Sequence, residues 1–305
     1  MKMLNFLPSR IVINNHLKGS WKIILSFALV FLILATGIFL LLGENTDIHS
    51  IAPGFGEKPD PEFGKDYLNF SELGTYFGWF AFGGPTIIFI MLSVLPLIHI
   101  FITKEIKEGK IGIWFSSYLS RHQIIFSKII FVIISSFIIM APSILSAFIF
   151  SAISIDAYLN MGAVILQAFY FILTTTALVS LMCLISAFFA NKGKGVLGTT
   201  ISSIVIAYMM AIFGAYLFLA NAGYINEAKI LNYFSIYSLM PNTLIFQEGF
   251  EGINRPGFPE DVTFYLGIRK PNLVWEIVSP ILSVGIITGS ISLTSVWFNK
   301  VDIAA

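Results

Sequence analysis

The chain has 305 residues, of which 56% are hydrophobic and 11% charged. A soluble domain carries about a quarter charged residues, so an ordinary soluble globule is excluded. A formal net charge of +1 excludes the basic surface that nucleic acid requires, and the single cysteine, Cys183, excludes an intrachain disulfide or a multi-cysteine metal site.

A hydrocarbon layer about 30 Å thick is crossed by roughly 20 helical residues. Stretches of that length without Asp, Glu, Lys or Arg occur at 23–42, 81–102, 129–155, 161–190, 196–221 and 277–298. The chain is therefore expected to be all-α, a single polytopic membrane domain with six transmembrane helices. Ahead of the first stretch, residues 1–22 carry Ile13, Leu17 and Trp21 at intervals of four, with Arg10, Asn14, Lys18 and Lys22 on other faces. That pattern predicts an amphipathic helix lying in the headgroup layer. The first span is too long for a signal-peptide core, and Gly43-Glu44-Asn45 offers no small-residue cleavage site, so it is read as retained.

Orientation follows from the cations, because Lys and Arg resist translocation. Twelve of the eighteen lie at the N-terminus, in the loop 104–128, at Lys192 and Lys194, and at Lys300. The remaining six are spread over the far longer loops 43–80 and 222–275. Both termini are thus expected to be cytoplasmic and those two loops extracytoplasmic. Within the second, the uncharged stretch 230–246 is short and interrupted by Pro241, which predicts a re-entrant or interfacial segment in place of a seventh span.

Small residues recur at helix-packing intervals in two spans. Ser203, Ala207, Ala211 and Ala215 form a stripe in the fifth, and Gly285 and Gly289 a G-x-x-x-G in the sixth. Such faces allow close backbone approach, within the protomer or across a dimer. Pro85, Pro96, Pro142 and Pro280 fall inside spans and are expected to kink them.

Signatures of catalysis are missing from the sequence. There is no G-x-x-x-x-G-K-[ST] phosphate loop, no H-E-x-x-H and no G-x-S-x-G, and His16, His49, His99 and His122 have no metal-ligand spacing. The run Gly193-Lys194-Gly195 reads as a tight turn. Spans without carboxylates argue against a proton- or sodium-driven carrier. No catalytic, cofactor or metal site is expected in this chain.

The loop 104–128, KEIKEGKIGIWFSSYLSRHQIIFSK, is the most informative segment. Read as a helix, Ile111, Trp114, Phe115 and Tyr118 make one apolar stripe, suited to the membrane surface or to a partner's groove. The order Glu108-Gly109, Ser120-Arg121, Lys128 resembles the loop between the second and third spans of type-2 ATP-binding-cassette (ABC) exporter permeases. In that family Glu-Gly-Thr, a hydrophobic stretch, Pro-x-Ser-Arg and a Lys seven residues later follow in register. Here Lys110 replaces the Thr and Tyr118 the Pro. The resemblance extends to the whole chain in architecture and to this loop in residues.

What the resemblance implies is a coupling helix within 104–128, gripped by a separate ATPase subunit. Trp114 and Phe115 would be its aromatic anchors. Glu105, Glu108 and Arg121 would supply polar contacts and order the loop, with Gly109, Ile111 and Tyr118 completing it. It further implies two ATPase subunits binding ATP and Mg, a second permease subunit, identical or paralogous, and a place in the plasma membrane. The rival expectations are a membrane scaffold or assembly protein without transport, and an energy-independent lipid scramblase.

Overall fold

A computed structural model describes residues 8–44, 81–108, 119–153, 161–191, 195–216, 239–240, 253–254, 263–264 and 273–300. Among these residues the fold is all-helical apart from one antiparallel pairing, β1 (Ile253–Asn254) with β2 (Thr263–Phe264). The helices are α1 (Arg10–Glu44), α2 (Gly84–Ile98), α3 (Arg121–Ile153), α4 (Met161–Asn191), α5 (Gly195–Tyr216) and α6 (Leu273–Lys300). Past Ile98, α2 runs on without interruption through a π-helical segment, His99–Lys104, and a last turn, Glu105–Lys107. Five helices are long and apolar enough to cross a membrane, over Arg10–Gly37, Thr86–Lys104, Arg121–Ile149, Val164–Ala190 and Glu276–Phe298. The sixth, α5, has 22 residues and no charged side chain, which spans about 33 Å. The molecule is a polytopic helical membrane protein, because helices satisfy their own backbone polar groups where no water is available.

Contacts at the helix ends establish an up-and-down order. At one end the Ser9 N–H donates to Ser127 Oγ (2.6 Å), His122 Nδ1 bonds Ser295 Oγ, and the rings of Phe188 and Trp297 lie 4.8 Å apart. This brings together the starts of α1 and α3 and the ends of α4 and α6. At the other end Ser143 Oγ donates to the Ala81 carbonyl (2.5 Å) and Tyr170 Oη to the Glu276 carbonyl (3.0 Å). The start of α1 and the end of α6 therefore share one end of the bundle, the parity that the cation distribution requires.

Helices α3 and α4 form the centre and are mostly buried, whereas α1 and α6 are peripheral and mostly exposed or half-buried. The interior joins apolar residues such as Phe131, Phe171 and Ile90 to many hydroxyls. Ser20, Ser93, Ser135, Ser202 and Thr294 each donate to the carbonyl four residues back, so they enter the core without needing water.

Several expectations are corrected. Residues 10–22 are not a helix of their own: α1 is continuous over 35 residues, about 52 Å, longer than the hydrocarbon layer. The expected four-residue period is present but its register is shifted by one. Val12, His16, Ser20, Ile24 and Ala28 are buried, Ile13 and Leu17 only partly, and Trp21 is 54% exposed. Ser20 is buried on this face, while the bulky Trp21 indole stays outside, 5.9 Å from Lys22 Nζ. Pro85 lies in the first turn of α2, after the extended Gly83, where the missing N–H breaks no helix bond. Pro96, by contrast, is inside the helix and three residues ahead of the π-helical segment.

Among the described residues, little of the small-residue stripes packs within the chain. Helix α5 approaches α4 through Gly198 and the buried Ser202, and Ala207 is exposed. A Cβ on Gly198 would meet Phe189 Cβ at 3.0 Å and Ser186 Cα at 3.1 Å. Ser203 is half-buried, and the side chains of Ala211 and Ala215 lie outside the described residues. At Gly285 and Gly289 nothing stands within 4 Å of an added Cβ, so among the described residues that face packs against no other helix. The buried face of α6 is instead Ser279, Ser283, Ser290, Thr294 and Phe298.

Candidate functional site

The start of α3 is written locally. Ser120 precedes the helix, its Oγ accepts from the Gln123 N–H (3.2 Å), and Gln123 Oε1 accepts from the Ser120 N–H (3.1 Å). This reciprocal capping box starts the helix at Arg121, inside what the sequence shows as a loop. Once α3 begins there, Ile124, Lys128, Phe131 and Ser135 share its inner face, and all four are buried. Lys128, expected among the solvated loop cations, is thereby carried into the bundle with its side chain fully covered.

The Lys128 ammonium is enclosed by three elements. It donates to Glu105 Oε2 (2.5 Å) and to the Phe101 carbonyl (2.8 Å), and lies 3.5 Å from His16 Nε2 on α1. His16, Phe101 and Phe131 form an aromatic wall around it, with ring centroids 4.8, 4.9 and 5.4 Å apart. The three donors of the ammonium thus face a carboxylate, a carbonyl and an imidazole nitrogen. A cation and a carboxylate out of water are tolerated on these terms, and removing one partner of such a pair costs about 3–5 kcal/mol. An ion pair thus enters the bundle from residues that lie just outside the uncharged stretches 81–102 and 129–155.

The π-helical segment belongs to the same arrangement. In a regular α-helix the Glu105 N–H would donate to the Phe101 carbonyl, four residues back. Here it donates to the Ile102 carbonyl, and Phe101 O accepts from Lys128 instead. A side chain entering a helix ladder is a recognised cause of such distortion, and Pro96, three residues ahead of the segment, removes another bond. Thr103, 1% exposed within the segment, has a hydroxyl without a hydrogen-bond partner among the described residues.

Of the expected coupling residues, Glu105 turns inward to Lys128, and Glu108 is exposed, 3.8 Å from Lys104 in an i,i+4 pair of small energetic weight. Arg121 is half-buried in the first turn of α3. Gly109, Ile111, Trp114, Phe115 and Tyr118 lie outside the described residues. The segment 104–128 is accordingly two helical shoulders and a shorter connection: Lys104–Lys107 completes one helix, Arg121 onward belongs to α3, and the Glu105–Lys128 pair ties them together.

Sequence reasoning missed His16 and the placement of Lys128. The signal for Lys128 was its spacing with Ile124, Phe131 and Ser135; for His16 it was the spacing with Val12, Ser20 and Ile24.

At the opposite end, Leu239 and Met240 are the described part of the expected re-entrant stretch. The Leu239 carbonyl accepts from Thr174 Oγ1 (2.9 Å) and from Ser279 Oγ, and Met240 is buried. Thr174 is ten residues inside one boundary of its span and Ser279 three inside the other. This point of the 222–275 loop is therefore seated between α4 and α6, below the helix ends.

Compared with known proteins, the chain matches no family model, no curated protein and no solved structure.

Proposed function

We propose that this chain is the membrane-spanning subunit of an ABC exporter of the type-2 permease kind, acting with ATPase subunits made separately. The reading rests on the loop 104–128, and the observation that supports it best is the Glu105–Lys128 pair. The pair joins the two shoulders of the connection between α2 and α3, the helix ends that flank the sequence carrying Trp114 and Phe115. Displacing helix ends joined in this way moves both helices at once, and that is the mechanical requirement for carrying work from a soluble motor into the bundle. A ligand shifts an equilibrium only by its different affinity for two states, so the motor must hold this loop differently when nucleotide is bound.

In this reading ATP and Mg reside on two ATPase subunits, and a second permease subunit, identical or paralogous, completes the pathway in the plasma membrane. The chain itself performs no hydrolysis.

The test is purification of the full-length chain from its native membrane. A companion carrying a nucleotide-binding phosphate loop should be present in stoichiometric amount. Its ATP hydrolysis should fall at least several-fold on Trp114→Ala. A stable complex lacking such a companion, as a scaffold or a scramblase would give, or hydrolysis indifferent to Trp114→Ala and Arg121→Ala together, would overturn the reading.

A further inference from the structure

The exchange of partners at Phe101 has a conformational consequence. Its carbonyl accepts from the Lys128 ammonium at 2.8 Å, while the Glu105 N–H, which α-helical geometry would direct to it, goes to Ile102 O, three residues back. We propose that Lys128 is a latch for a π-to-α switch in the helix end His99–Lys107, so that withdrawing the ammonium lets this segment return to α-helical register and rotates the shoulder of the connecting loop. Lys128 acts here as a positioning residue.

Three observations on different atoms support a second state. The Glu105 N–H and the Phe101 carbonyl are the pair that α-helical geometry would join, and nothing but the ammonium stands for that bond. The buried Thr103 hydroxyl has no partner in the π-helical state, whereas in an α-helix a threonine hydroxyl bonds the carbonyl four residues back, as Thr36 and Thr176 do in this chain. Lys128 also holds Glu105, so a single ammonium grips both sides of the distorted turn. Removing one residue of register turns everything beyond it by about 100°. Glu105 and Glu108 would swing with it. Segments of π-helix recur at functional positions because they store such a one-residue displacement.

The switch is a property of this chain alone, and its test needs no partner, so its failure is distinct from failure of the transporter reading. Spin labels are placed at Glu108→Cys and Lys18→Cys, both exposed positions, with buried Cys183 replaced by alanine, and the chain is reconstituted in lipid nanodiscs. Electron–electron resonance should give one distance population in the parent. In Lys128→Met the mean should shift, or a second population appear, by roughly 8 Å, the displacement of a side-chain tip for a 100° turn on a helix of this radius. Lys128→Arg should return the parent distance. Should Lys128→Met fail to fold, the double variant Lys128→Met, Glu105→Leu takes its place, since it withdraws the ammonium from the Phe101 carbonyl without leaving a charge unpaired; the same displacement is then expected. A single parent-like distance in the folded variant examined would overturn the switch.

Discussion

Glu105 and Lys128 are 23 residues apart in the chain and 2.5 Å apart in space, and between them runs the whole connection from α2 to α3. Glu105 retains 16% exposure and Lys128 none, so the pair is asymmetric: the cation depends on the carboxylate more than the reverse. Lys128→Ala should lower the free energy of unfolding in detergent by about 3–5 kcal/mol, because Glu105 and the Phe101 carbonyl lose their donor. The double variant Lys128→Met, Glu105→Leu should recover most of that loss, since neither charge is left unpaired. A thermal unfolding series over Lys128→Met, Glu105→Leu and the double variant checks this. Additive losses would show that the two groups do not act as a pair.

The capping box at the start of α3 gives a smaller and more local effect. Ser120→Ala should cost about 1 kcal/mol and raise amide exchange at residues 121–124 without altering the bundle. Since these residues lie one or two turns from Lys128, the fraying should stop before it reaches the ammonium. Hydrogen exchange read by mass spectrometry separates this from global destabilisation.

Glycines of similar appearance in the sequence have opposite roles. Gly198→Ala should destabilise the chain by about 1–3 kcal/mol, because its methyl group meets Phe189 Cβ at 3.0 Å and the backbone of Ser186 at 3.1 Å. Gly289→Ala should leave the stability of the isolated chain unchanged, as its Cβ enters open space. Measuring thermal stability and self-association together makes the comparison complete. A loss of self-association in Gly289→Ala alone would assign that face to contact between copies of this chain.

The spans were legible because a membrane helix declares itself by the charges it omits, and the fourth, expected at 161–190, is found at Met161–Asn191. The same rule hid the true extent of α1 and α3. Lys18 and Lys22 end an uncharged window but do not end a helix, since exposed cations sit on it without cost. Lys128 ends another window and is in fact two turns inside its helix, where Glu105 makes it tolerable. That partner is distant in sequence, so no local pattern announces it. The π-helical segment is less legible still: apart from Pro96, its cause is the Lys128 ammonium arriving from another helix. The alternation of helix direction, by contrast, follows from the loop cations alone.

The seat of Leu239 supplies the last prediction. Its carbonyl is held by hydroxyls from two different helices, Thr174 of α4 and Ser279 of α6, so neither helix alone fixes it. Met240, beside it, is 5% exposed. A cysteine at Met240 should therefore react slowly with a membrane-impermeant maleimide, and the reaction should accelerate at least several-fold when Thr174→Val and Ser279→Ala are combined. Either substitution alone should have a lesser effect, because a carbonyl with two donors keeps one. Reaction from outside intact cells is expected, since Leu239 lies toward the end of the bundle opposite Lys128. Labelling only after the membrane is opened would invert the orientation read from the cations, and with it the placing of the 104–128 segment at the cytoplasmic face.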